Sequence, residues 1–130
     1  MRNVFLPLLL VSAMLCGCGG SAEKPVRPPK PDAVLEMYNH YVEGKYADYV
    51  REIHSNIGKP ESFLEQMEWL MQQNAARQMA ERGGVAKAEV GRIEQDSAFA
   101  NVFMLISYGD SSREEILLPL VFDKGRWWIR

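Results

Sequence analysis

Two periods divide the chain. Between Asp32 and Arg82 apolar residues recur at intervals of three and four, the spacing of one helix face. After Gly83-Gly84 they alternate with polar residues, as along a strand. The helical half predicts three helices. The first starts with Asp32 as its N-cap behind Pro31, carries Val34, Tyr38, Tyr41 and Val42 on one face, and stops at Gly44. A second, short helix sets Tyr46, Tyr49, Val50 and Ile53 on one face and ends near Asn56-Ile57-Gly58. Pro60 opens the third from its first turn. That helix covers Glu61–Arg82, with Phe63, Met67, Leu70, Met71 and Ala75 as its stripe and Gly83-Gly84 as its stop.

The second half predicts a four-stranded meander. Val85–Glu94 is the first strand, with small residues (Ala86, Ala88, Gly91) suited to a tight helix contact. Ala98–Tyr108 is the central one, bounded by Asp96-Ser97 and Gly109-Asp110-Ser111. One of its faces carries Ala98, Ala100, Val102, Met104, Ile106 and Tyr108; the other carries Phe99, Asn101, Phe103, Leu105 and Ser107. Both are mostly apolar, so both call for cover. Glu114–Phe122 is the third strand, with Pro119 predicting an edge or a bulge because proline lacks a ladder donor. Asp123-Lys124-Gly125-Arg126 is a hairpin turn, and Trp127–Ile129 closes the sheet. Three N-terminal helices packed on a curved four-stranded antiparallel sheet make an α+β domain.

The N-terminus follows neither period. Arg2 is a minimal basic region, and the apolar run Val4–Met14 is too short to span a membrane but the right length for a secretory core. Leu15-Cys16-Gly17-Cys18 after it resembles the lipobox of bacterial lipoproteins, with Leu at −3, a small residue at −1 and then the lipidated Cys. That resemblance implies cleavage before Cys18 and acyl chains on it. An ordinary signal peptide cut near Ala22, or an uncleaved anchor, are the alternatives. Under the lipoprotein reading Cys16 leaves with the leader and Cys18 is blocked, so no disulfide holds the domain. Each buried methylene of the acyl chains adds about 0.8 kcal/mol to anchoring. Gly19-Gly20 in place of an Asp favours the outer membrane of a Gram-negative cell envelope.

The resulting organisation is 1–17 as signal peptide, 18–31 as lipidated Cys and proline-rich tether, and 32–130 as the folded domain. The tether combines Gly-Gly-Ser-Ala with Pro25, Pro28, Pro29 and Pro31, and extended it would reach roughly 40 Å at about 3.1 Å per residue. Its Lys24, Arg27 and Lys30 against Glu23 give +2. The body keeps all but four of the 15 basic residues (Arg2 being the fourth) and all but one of the 17 acidic ones, a net charge of −5. The basic stretch thus lies nearest an anionic lipid surface, though a simple solvated spacer accounts for it equally. A net-acidic body without a basic stripe argues against nucleic acid.

Taken in order, Val42-Glu43-Gly44-Lys45-Tyr46-Ala47, Gly83-Gly84-Val85 and Asp123-Lys124-Gly125-Arg126-Trp127-Trp128-Ile129 resemble the nuclear-transport-factor-2-like (cystatin-like) superfamily, and within it short uncharacterised lipoprotein domains. The resemblance covers Asp32–Ile129. It implies a helix-backed, cone-shaped sheet with a pocket, dimers through the outer sheet face, and a structural role for Trp127. Enzymes of that superfamily, such as ketosteroid isomerases and dehydratases, place a general base and an oxyanion donor inside an apolar cone. No such set is evident here. His40 falls away from the first helix stripe, beside Glu36 and Glu43, as a solvated face residue. His54 suits the end of the second helix, and two isolated histidines make no metal site.

The candidate pocket or interface residues are Trp69, Tyr41, Asn101, Phe103 and Tyr108. Trp69 sits on the polar side of the third helix, as an interface residue or under a loop. Asn101 is the polar member of an apolar row, lining a pocket or bonding a neighbouring strand. The tyrosines offer hydroxyl donors, with core packing as their default. Together these predict no catalytic residue, no metal and no cofactor. The expected function is a membrane-anchored, non-catalytic domain binding a small hydrophobic ligand or an envelope protein. A dimeric scaffold with a filled interior is the alternative, and an isomerase- or dehydratase-like enzyme the less favoured one.

Overall fold

The structure is a computed structural model that describes residues 25–130. The leader, Cys16, Cys18 and the glycines after them lie outside those residues. The chain runs α1 Pro31–Val42, α2 Tyr46–Arg51, a single 3-10 turn His54–Asn56, α3 Glu61–Arg82, then β1 Val85–Asp96, β2 Phe99–Tyr108, β3 Arg113–Asp123 and β4 Arg126–Ile129. The four strands form one antiparallel sheet in the order β1-β2-β3-β4. Helices pack against this open sheet, and the domain is α+β, as the two periods predict.

α1 starts one residue before the expected cap. Pro31, not Asp32, takes the first helical position, where its fixed φ fits and its missing N–H costs nothing. Asp32 still stands in the first turn, at the positive end of the dipole. Val34, Met37, Tyr38 and Tyr41 form the buried stripe, and α1 lies along β1. There the small Ala88 is buried, as its size suggested. Gly91 has a different cause. A Cβ on it would come within 2.9 Å of the Phe103 carbonyl oxygen, where β1 slips register between Val90 and Ile93, so this is a strand–strand contact.

α2 is shorter than expected. Ile53 leaves the helix to bridge Ile129 in parallel, and the Ile129 N–H donates to the Glu52 carbonyl (2.8 Å). The buried Asn56 donates its side-chain amide to the Val50 carbonyl (2.8 Å) and holds the turn that follows. α3 has the expected bounds, but Pro60 is its N-cap rather than a first-turn residue. Its stripe is also shallower than the spacing implied. Only Leu64 is buried, and Leu70 is 47% exposed, because α3 rests chiefly on α2 and reaches the sheet through its C-terminal end, where Arg82 bonds Glu114 and lies over the Tyr108 ring. Gly83, at φ +77°, closes α3; a Cβ there would meet the Gly109 backbone at 3.2 Å, so this turn and the β2–β3 turn need glycine to pack.

Pro119 is tolerated by topology. It pairs with Asn101 of β2, while its carbonyl accepts from the Arg130 N–H (2.9 Å) on the opposite side. Its nitrogen shares that side, beyond the end of the four-residue β4, so no ladder donor is lost. The β3–β4 hairpin turns through Lys124 (φ +51°) and Gly125 (φ +80°), the two positive-φ positions of a two-residue turn.

The inner face of β2 is buried throughout. Ala100, Val102, Met104, Ile106 and Tyr108 pack with Leu118, Leu120, Ile129 and the α1 stripe. Among the described residues no helix covers the outer face. Phe99 and Leu117 are each 51% exposed, and Arg92, Arg126 and Arg130 lie over the rings of Phe103, Trp128 and Phe99 at 4.2, 4.0 and 5.5 Å.

Candidate functional site

The main opening among the described residues is a cleft of about 380 Å³ at the β3–β4 end of the domain. Three parts of the fold build it. α1 supplies Ala33, Val34, Met37 and His40. The hairpin supplies Phe122, Arg126 and Trp127, the two rings meeting edge to face at 5.4 Å. Residues Arg27–Lys30, ahead of α1, form the remaining wall. The proline spacing predicts an extended tether here. Instead Pro29 is buried, the Val26 carbonyl accepts from Gln95 Nε2 (3.1 Å), and the Arg27 carbonyl accepts from Trp127 Nε1 (2.8 Å).

The floor is apolar and the rim is charged. Glu52, with a side chain only 17% exposed, pairs with Arg126, whose Nε also donates to the Trp127 carbonyl (3.1 Å). Arg27, Lys30 and Glu36 complete the rim. His40 departs from its expected solvated position. It is half-buried at the border of the cleft, and its Nδ1 is buried without a hydrogen-bond partner among the described residues. On the far side of the hairpin His54 Nε2 lies 2.8 Å from Asp123 Oδ2, a contact that holds the Asp123 carboxyl below its ordinary range. Such a cleft suits a ligand with an apolar body and a polar end.

The residues singled out from sequence do not meet there. Tyr41 is buried in the core; its hydroxyl donates to Gln78 Oε1 (2.6 Å) and accepts from Asn74 Nδ2 (2.7 Å), tying α1 to α3. Tyr108, also buried, donates to Glu114 Oε2 (2.7 Å) under the Arg82 guanidinium. Burial pushes both phenols up, and Tyr38 beside them further. Tyr49 is pushed up to about 12 by the same desolvation. Asn101 and Phe103 lie on the outer sheet face, Asn101 in a shallow recess with Phe99 and Arg130. Trp69 stands 58% exposed on α3, away from all of these.

Sequence reasoning does not find Met37, Glu52, Phe122 and Arg126 as neighbours, and Trp127, for which the resemblance implies a structural role, also lines the cleft. No group of three or more His, Cys, Asp or Glu among the described residues is arranged to hold a metal ion. No helix among them is long and apolar enough to cross a membrane.

No protein-family model matches the chain, and no curated protein matches it. Among solved structures, the fold is similar to a Campylobacter jejuni protein provisionally described as an NTF2-like transpeptidase, with a TM-score of 0.60 and 13% identity. The match covers 75% of this chain and 94% of that one. The likeness places the domain in the nuclear-transport-factor-2-like fold, and at this identity it speaks of the fold alone.

Proposed function

We propose that this is a membrane-anchored bacterial lipoprotein whose nuclear-transport-factor-2-like domain binds a small hydrophobic ligand, or an apolar segment of an envelope protein, without catalysis. The observation that carries the reading is the cleft beside Trp127. It is open, its floor is apolar, and charged groups stand only on its rim. The interior of the cone, where an isomerase-like site would lie, is instead filled by Met104, Ile106 and the tyrosines. The name given to the Campylobacter protein suggests transpeptidation, which needs a nucleophile beside a base. Among the described residues His54 Nε2 lies against the Asp123 carboxylate and the Ser112 hydroxyl against Asp110 Oδ1.

Anchoring rests on Cys18, and the envelope location on the leader before it. Cys18→Ala should move the protein from the membrane fraction to the soluble one; a variant that stays with the membrane would remove the anchor from this account. A second reading, a homodimer with no ligand, is favoured by the exposed Phe99 and Leu117. Sedimentation of the full chain in detergent separates the two, since a dimer would bury those residues.

A further inference from the structure

The segment before α1 has a period of its own. A polyproline II helix repeats every three residues, makes no internal hydrogen bonds and leaves its carbonyls free. Here Pro25 and Pro28 fall on one edge, Arg27 and Lys30 on a second, and Val26 and Pro29 on the third, with Pro31 opening α1. Each residue that precedes a proline is driven to extended backbone, and Lys30 has φ −78° and ψ 129°. The burial follows the same period. Val26 and Pro29 turn inward, while Pro25, Arg27, Pro28, Lys30 and Pro31 are exposed.

What the inward edge meets is equally specific. Consecutive carbonyls, of Val26 and Arg27, accept from Gln95 Nε2 (3.1 Å) and from the Trp127 indole N–H (2.8 Å). Aromatic-lined grooves recognise proline-rich segments in this way: a ring packs against the proline edge, and a side-chain donor caps a carbonyl that the polyproline helix cannot satisfy itself. A solvated spacer would need neither donor.

We infer that the surface formed by Gln95, Trp127 and the start of α1 is a polyproline II recognition groove, occupied in cis by residues 25–31. Its ligand class is a segment with apolar side chains at every third position, Pro at the second of them, and basic residues on the edge facing away. A partner presenting such a segment would compete with the resident one. This inference goes beyond the ligand reading above and needs neither the lipid anchor nor a hydrophobic ligand. The covalent link sets the resident segment at an effective concentration on the order of millimolar, so the wild-type groove is closed to weaker or more dilute competitors.

Pro29→Asp places a charge at the buried inward position and should release the segment, leaving the core untouched. The test follows the Trp127 indole resonance of the full chain by NMR, assigned by its loss in Trp127→Phe, with circular dichroism as the control for folding. In Pro29→Asp that resonance should shift and lose its protection from exchange. A free peptide of residues 25–31, added at about a tenth of the effective concentration of the linked segment, should restore it in Pro29→Asp but leave wild type unchanged. A peptide of the same composition in shuffled order should fail to do so. In a Pro29→Asp chain that also carries Gln95→Ala, the peptide should bind about fivefold more weakly, the worth of one hydrogen bond. An indole unmoved by Pro29→Asp would show that the segment is not docked on Trp127. A folded Pro29→Asp chain whose indole ignores the peptide, or answers the shuffled one equally, would show that no recognition groove exists there.

Discussion

The two halves of α1 face different surroundings. Its C-terminal half, with Tyr38 and Tyr41, is sealed between the sheet and α3, and the Tyr41 hydroxyl is held from both sides by Gln78 and Asn74. Its N-terminal half, with Ala33 and Val34, looks over the cleft closed on one side by Arg27–Lys30 and on the other by the β3–β4 hairpin. One helix therefore supplies both the plug of the cone and the floor of the opening. The sealed half belongs to stability, because its tyrosines are buried and the Tyr41 hydroxyl is already engaged inside. The open half belongs to recognition, because it lines the cleft with Ala33 exposed beside the buried Val34. In this chain the cleft lies at the hairpin end, and the interior between helices and sheet is filled.

The strongest way to break that division is to damage the sealed half. Met104→Ala or Leu120→Ala removes a fully buried side chain and should cost about 2–5 kcal/mol in urea unfolding. A loss comparable to that of a surface change would mean that the cone is not packed. Titration sharpens the same point. Desolvation raises the phenols of Tyr38, Tyr41 and Tyr49, the last to about 12, above the ordinary value near 10. A raised folded-state value favours the neutral form in the native protein. The stability it contributes is complete below about pH 10 and falls as pH climbs from there through about 12. Ultraviolet titration of tyrosinate should show a class of phenols that ionise only as the protein unfolds. Ionisation of all five near pH 10 in folded protein would place the cluster in solvent. The smallest effect belongs to the outer sheet face. Leu117→Ser, at a half-exposed position, should change stability by less than about 0.5 kcal/mol, unless the face is covered by a second copy.

Much of the fold was legible because it is written in local periods. The α1 stripe, the bounds of α3, the four-stranded order and the Lys124-Gly125 turn each rest on neighbouring residues. Deviations came where a distant partner outweighs the local signal. Ile53 is drawn out of α2 by Ile129, and the α3 stripe stays half-exposed because α3 leans on α2 rather than on the sheet. The site was hidden for the same reason. Trp127 and Arg27 are 100 residues apart, and Glu52 meets Arg126 from a third region. A helical wheel places His40 off the sheet-facing stripe but cannot show that the hairpin end encloses that side. Proline spacing reveals an extended segment; only the fold shows that its Val26 and Arg27 carbonyls meet Gln95 and Trp127.

The central claim is that the cleft beside Trp127, and not the cone, takes the ligand. Ala33 lines that cleft and is exposed, so Ala33→Trp should fill it without disturbing the core. The decisive measurement is native mass spectrometry of full-length wild type and Ala33→Trp, both purified from the native host in detergent. The account predicts an added mass on the wild type that is absent from Ala33→Trp. A wild type without added mass, or an added mass that survives Ala33→Trp, would contradict it.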